Sequence, residues 1–133
     1  MICGIHHVSM KCLPGDEFAR AKAFYLETLG LPVRREWPRG IMIDAGNALI
    51  EIFCTGEGVK EKGALRHIAL AVDDVDAYAE KARRAGCAVL TEPGGLVIPS
   101  DPPLRARMAF CLGPLGEQIE FFCEEEAEED AQP

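Results

Sequence analysis

Two periodicities alternate along this chain, and they do so twice. Residues 2–10 alternate apolar and polar side chains, the mark of a half-buried strand. Gly15-Asp16 supplies a turn and a helix start. Phe18, Ala21, Phe24, Tyr25 and Leu29 then fall near a 3.6-residue period, which predicts a helix over 18–29. Gly30 is placed as its stop. Three short strands follow over 32–37, 41–44 and 48–54, with breaks at Pro38-Arg39-Gly40 and Gly46-Asn47. A polar, Gly-containing linker spans 55–63, and the order repeats. A strand over 64–72 leads to Asp73-Asp74, which caps a helix over 75–85 stopped at Gly86. A strand begins over 87–90, and strands over 106–112 and 117–124 are joined by Gly113-Pro114-Leu115-Gly116. The Gly- and Pro-rich stretch 92–103 reads as the longest irregular segment and a candidate active-site loop. The expected fold class is α+β, two βαβββ modules in tandem. They occupy about 1–55 and 64–123 of one domain, 1–123, followed by a tail over 124–133.

The strand phase carries the chemistry. Ile50, Ile52 and Cys54 share one face of their strand, and Leu49, Glu51 and Phe53 share the other. In the last strand Ile119, Phe121 and Cys123 oppose Gln118, Glu120 and Phe122. The apolar face in each module can pack on a helix, which leaves the Glu on the opposite face. Val8 and Met10 likewise put His7 on the Glu side, and Ile68, Leu70 and Val72 do the same for His67. Taken singly, each of these is an unremarked strand Glu or an incidental His. Taken together, His7, Glu51, His67 and Glu120 occupy matching places in a duplicated pattern, which makes them a candidate set of four metal ligands. Imidazole nitrogen and carboxylate oxygen suit Zn, Ni, Co, Mn or Fe in a site with open positions. A bound cation also relieves the cost of burying carboxylates. His6 has the opposite phase and is expected at the surface or satisfied by a hydrogen bond.

Composition narrows the class. The chain has 133 residues, 48% of them hydrophobic, which is enough for one domain or two half-domains with a shared core. No apolar run approaches a membrane span, and no signal-like segment opens the chain, so a cytoplasmic protein without membrane partners is expected. The six Cys contain no CxxC pair and read as reduced thiols, mostly in the core. Net charge is −8, but six acids lie between Glu124 and Asp130, so the acidity belongs to a tail expected to be disordered. No basic stripe with interleaved aromatics is present, which argues against nucleic-acid binding.

The chain resembles the vicinal oxygen chelate superfamily, which holds glyoxalases, bleomycin-resistance proteins and extradiol dioxygenases. The resemblance rests on Ile5-His6-His7-Val8, on Ala23-Phe24-Tyr25 with Thr28-Leu29-Gly30-Leu31, on Leu65-Arg66-His67-Ile68-Ala69, and on Gly113-Pro114-Leu115-Gly116 leading to Ile119-Glu120. It spans roughly residues 2–123. It implies a glyoxalase-like fold forming a cup around one divalent metal ion per site (Ni, Co, Zn or Mn), often in a homodimer. An acid at Glu51 is most similar to bacterial-type glyoxalase I, lactoylglutathione lyase, with metal ligands His7, Glu51, His67 and Glu120. The implied reaction isomerises a hemithioacetal or related α-hydroxycarbonyl by proton transfer, through an enediolate stabilised by the metal as Lewis acid. Glu120 or Glu51 would be the catalytic base. The resemblance leaves open a methylmalonyl-CoA epimerase-like or extradiol dioxygenase-like enzyme, and a non-catalytic small-molecule binding or resistance protein.

Two positions depart from the glyoxalase I pattern. Lys11 stands where Arg is usual and Thr55 where Asn is frequent, and both places contact glutathione in the family. Lys can meet a carboxylate but lacks the bidentate fork of Arg. The proton-transfer residues are therefore kept while the glutathione contacts are altered. Trp37, Phe53, Met108 and Phe122 are candidates for an apolar substrate pocket. Arg35, Arg39, Arg105 and Arg107 are candidate anchors for an anionic substrate, or solvated surface charge.

Overall fold

The computed structural model describes residues 1, 3, 5–56, 67–99 and 102–126. It contains β1 (His7–Lys11), α1 (Asp16–Lys22), β2 (Val33–Trp37), β3 (Gly40–Asp44) and β4 (Leu49–Phe53). These are followed by β5 (Ile68–Ala71), α2 (Val75–Arg84), β6 (Val89–Ile98), β7 (Leu104–Leu112) and β8 (Gln118–Glu124). The strands form two four-stranded sheets with the same topology, β1-β4-β3-β2 and β5-β8-β7-β6. The outer pair β1–β4 is parallel, as is β5–β8, and the other pairs are antiparallel. The α+β fold of two βαβββ modules expected from the sequence is the one observed.

The described residues divide into two compact units. One holds the residues before His67 together with Gly113–Glu117; the other holds His67–Leu112 and the residues from Gln118 onward. In the first unit Ile41, Ile43, Ile50 and Ile52 of the sheet are buried, as are Ala21, Phe24, Tyr25 and Leu29. In the second, Val75, Ala79 and Ala82 line the buried face of α2, and Ala109, Cys111, Ile119 and Phe121 are buried in the sheet. Tyr78 of α2 lies against Phe121, ring centroids 5.7 Å apart. Asp74 caps α2 by accepting a hydrogen bond from the Ala77 N–H at 3.0 Å. Gly30 and Gly86 end the helical segments with φ of 71° and 89°, the left-handed conformation glycine adopts without strain.

Four details differ from expectation. The first strand starts at His7 rather than at residue 2. The first helix begins at Asp16 and continues as a π-helical turn over Ala23–Thr28, where the Leu29 N–H reaches back five residues to the Phe24 carbonyl. The expected loop over 92–103 is largely strand: β6 runs through Pro93-Gly94-Gly95 to Ile98. The register slips between Val89 and Thr91 and again between Thr91 and Gly94. A proline can sit there because β6 is an edge strand, and a bulge asks for no amide donor at the extra residue. The tail also starts late, since Glu124 closes β8 and the Glu125 N–H bonds the Arg105 carbonyl. The linker beyond Gly56, the first part of the strand expected over 64–72 and the tail over 127–133 lie outside the described residues.

Cys12 and Cys111 are buried, Cys54, Cys87 and Cys123 are half-buried, and Cys3 is exposed. Among the described residues no helix is long and apolar enough to cross a membrane.

Candidate functional site

Residues paired directly across neighbouring strands share a face of the sheet. In the first sheet one such row is Ser9, Glu51, Met42 and Arg35, and the next is Lys11, Phe53, Gly40 and Trp37. His7 pairs with Leu49, and Leu49 with Asp44. The face opposite the buried isoleucines thus carries His7, Glu51, Lys11, Phe53, Trp37 and Arg35. His7 Nε2 lies 3.7 Å from Glu51 Oε1. That is beyond hydrogen-bond length, so the two groups face each other without a direct bond. Glu51 is only 7% exposed, a buried charged residue on the face opposite the buried isoleucines.

The second sheet repeats the arrangement. Its rows are Ala69, Glu120, Phe110 and Thr91, then Ala71, Phe122, Met108 and Gly94. His67 sits one residue before β5, with Nε2 again 3.7 Å from Glu120 Oε1. In both pairs the carboxylate is the deeper group, with side chains 9% and 12% exposed, against 38% and 40% for the imidazoles. The same atoms at the same separation, with the same gradient of burial, appear in each unit.

The separation within each pair is one that two donors to a single divalent ion can have. Two protein donors each about 2.0–2.2 Å from one ion can stand no more than about 4.2 Å apart, and both pairs satisfy that. Imidazole and carboxylate together match the borderline and hard divalent ions. Among the described residues, no three or more His, Cys, Asp or Glu side chains converge. The four predicted ligands are therefore brought together two by two, each pair within its own unit.

The predicted pocket residues follow the same faces. Trp37 and Phe53 meet edge to face at 5.8 Å. Gly40 makes this possible: a Cβ there would stand 2.7 Å from the Ile52 carbonyl oxygen and 3.0 Å from the indole. Met108 and Phe122 are direct cross-strand partners, both half-buried. Lys11 ends β1 on the Glu51 face, and Thr55 lies just past β4; both are exposed. Of the candidate anchors, Arg35 is exposed on the Glu51 face and Arg39 is exposed in the β2–β3 turn. Arg107 is engaged by a neighbouring helix. It has the phase of buried Ala109 and Cys111 and grips Asp76 at the start of α2, with Nε–Oδ2 at 2.6 Å and Nη2–Oδ1 at 2.8 Å. Its role is to tie strand to helix. That fork holds the Asp76 carboxyl below its ordinary range, chiefly by hydrogen bonding. Arg105 shares the phase of Arg107, off the Glu120 face.

Phe110 and one cavity were missed in the sequence. Phe110 stands beside Glu120 and presents its ring edge-on to His67 at 5.1 Å. Its phase with Met108 was the available signal. His6, expected at the surface or hydrogen-bonded, is exposed and also bonded to His7, Nδ1 to Nδ1 at 2.8 Å. A cavity of about 380 Å³ opens at the His6 end of the first sheet, lined by His6, Arg34, Arg35, Asp44, Asn47 and Leu49 among others.

Comparison with known proteins places the fold that carries these pairs. The family model for the glyoxalase/bleomycin resistance protein/dioxygenase superfamily matches residues 4–121. The chain belongs to this superfamily. No curated relative matches it in sequence. A glyoxalase family protein from Bacillus anthracis superposes with a TM-score of 0.66 at 25% identity, over 94% of this chain and 98% of that one. A superfamily protein from Alicyclobacillus acidocaldarius gives 0.67 at 18% identity, over 93% of each chain. A lactoylglutathione lyase from Agrobacterium tumefaciens gives 0.62 at 17% identity, over 92% of this chain and 95% of that one. At 17–18% the likeness is one of fold. The superfamily fold thus accounts for the duplicated sheets that carry the two His–Glu pairs.

Proposed function

We propose that the chain is a divalent-metal-dependent lyase of the glyoxalase I kind, cytoplasmic and homodimeric, isomerising a hemithioacetal or a related α-hydroxycarbonyl. The observation that carries this is the duplicated His–Glu pair, 3.7 Å between the same two atoms in both units, with the carboxylate the more buried partner each time. His7, Glu51, His67 and Glu120 act as one ligand set. When bound, a divalent cation polarises two adjacent substrate oxygens and acidifies the proton on the carbon between them and sulfur.

The chain's residues do the rest. A Glu120 or Glu51 carboxylate oxygen takes that proton and returns one to the neighbouring carbonyl carbon, while the hydroxyl proton passes to the former carbonyl oxygen, so hydroxyl and carbonyl exchange places with no net oxidation. Phe110, Phe122 and Met108 surround Glu120 in the sheet and limit its solvation, which favours proton transfer over hydration. In the first unit Trp37 and Phe53 offer an apolar wall. Lys11, Arg35 and the neighbouring cavity receive the substrate's anionic end. Thr55 completes this side with a hydroxyl.

The test is turnover of the methylglyoxal–glutathione hemithioacetal by metal-stripped protein, with Ni, Co, Zn and Mn restored separately. Activity is expected with at least one ion, and Glu120→Ala should lower kcat by about 10²–10⁴-fold. Stoichiometric metal binding without turnover of this substrate would reject glutathione as the thiol carrier and point to the altered contacts at Lys11 and Thr55.

A further inference from the structure

We infer that His6 is a positioning residue that fixes the tautomer of His7, a role that rests on His7 being a metal ligand. The two rings meet edge to face, centroids 5.1 Å apart and planes at 84°, with the Nδ1 atoms 2.8 Å from each other. A hydrogen bond between two imidazole nitrogens needs one N–H and one bare lone pair. His7 Nε2 is the nitrogen that faces Glu51. To ligate an ion there it must be unprotonated, so the His7 proton must sit on Nδ1. The bond then runs one way only: His7 Nδ1–H donates and His6 Nδ1 accepts, with the His6 proton on Nε2.

This matters because a neutral imidazole left to itself in water favours the proton on Nε2, the tautomer that blocks ligation. Glu51 does not correct this, since 3.7 Å is too long for a hydrogen bond. The hydrogen bond a ligating imidazole makes through its second nitrogen sets which nitrogen is bare. Here the partner is well anchored, because the His6 carbonyl accepts the Leu49 N–H at 2.9 Å and so joins the start of the β1–β4 ladder. The sequence of the second module differs at this place. Arg66 precedes His67 in sequence, and a guanidinium carries no acceptor. His67 instead has Phe110 against its ring. Among the described residues, His7 thus carries a directional ring bond and His67 an aromatic contact.

The experiment uses tag-free, ¹⁵N-labelled protein, whose three histidines are His6, His7 and His67. Long-range ¹H–¹⁵N correlation on the metal-free form at pH 8, above the ordinary imidazole range, reads each ring's bare nitrogen. Wild type is expected to show His7 protonated at Nδ1 and His6 at Nε2. His6→Ala should move His7 toward the Nε2-protonated form, leave His67 unchanged, and weaken Zn²⁺ and Ni²⁺ binding about 10–100-fold in competition titrations. His6→Asn, whose carboxamide oxygen can accept from Nδ1, should restore both readouts. Matching thermal melts for the three proteins would exclude a folding defect. Unchanged His7 tautomer and affinity in His6→Ala would overturn the role, as would an Asn variant no better than Ala. A wild type that binds neither ion would overturn the ligand reading, and the positioning role with it, and that failure is visible before any variant is made.

Discussion

Glu51 sets the terms at the scale of a single residue. A carboxylate 7% exposed, facing an imidazole it cannot hydrogen-bond, lowers the stability of the metal-free chain. Such a cost is retained where the group has work to do, and removing it trades function for stability. Glu51→Gln keeps the shape and drops the charge. The metal-free variant should therefore melt higher than metal-free wild type, by about 1 kcal/mol in unfolding free energy. The ranking should reverse on adding Zn²⁺ or Ni²⁺ at about 100 times the wild-type Kd, where a bound ion adds about 2.7 kcal/mol to wild type alone. Thermal melts of both proteins with and without ion check this. A variant stabilised by the ion as fully as wild type would remove Glu51 from the ligand set.

At the scale of elements, the charges that matter for folding lie on the opposite side of the second sheet from Glu120. The Arg107–Asp76 fork joins β7 to the first turn of α2, and Arg83 in the last turn reaches Glu92 on β6. Asp76 is held below its usual range by the Arg107 hydrogen bonds, so its folded pKa is lower than its unfolded one. The sign follows from linkage. The fork's stabilisation is complete above the unfolded carboxylate range and is lost as pH falls through the folded value. Arg107→Gln should thus melt below wild type by a constant margin from pH 5 to 8, and the margin should close below about pH 4. Because both groups are exposed, raising the salt concentration should narrow it too. A margin independent of pH would mean that Arg107 acts by packing alone. The same elements show what pattern reading can and cannot reach. Helix and strand order were legible because period 3.6 and period 2 alternate cleanly and glycines stand at the turns. The faces were legible because an alternation such as Ile50-Glu51-Ile52 has only one way to bury its isoleucines. The strand through Pro93-Gly94-Gly95 was not, because breakers that end a central strand are tolerated at a bulged edge. Which neighbour is an edge depends on strand order, and no local pattern encodes that. The partner of Arg107 was illegible for a related reason. The phase of Arg107 was readable, but Asp76 lies on a helix far away in sequence.

At the scale of the molecule, the proposed ligand set draws two residues from each unit, and two alone are too few. Protein sites for divalent ions of this class use three or four protein donors, so the His7–Glu51 and His67–Glu120 pairs must combine if either is to bind tightly. Combination predicts strong coupling. His7→Ala and His67→Ala should each weaken Zn²⁺ binding more than 100-fold, and the double variant should be scarcely worse than either, because the site is already lost. Two independent sites would instead give two ions per chain in native mass spectrometry, with each single variant keeping one. Combination can occur within a chain or between the chains of a dimer, and a mixture decides which. Suppose the dimer pairs the first unit of one chain with the second unit of its partner. A heterodimer of His7→Ala and His67→Ala chains then holds one site with all four ligands and one stripped of both imidazoles. Co-refolding the two inactive variants should restore up to half of the wild-type binding capacity per heterodimer, at wild-type affinity. If each chain completes its own site, every site in the mixture lacks one imidazole and nothing is restored. Size-exclusion light scattering on the same mixture shows whether dimers are present, so failed complementation in a dimer assigns the site to one chain. Failure in a monomer removes the homodimer from the proposal.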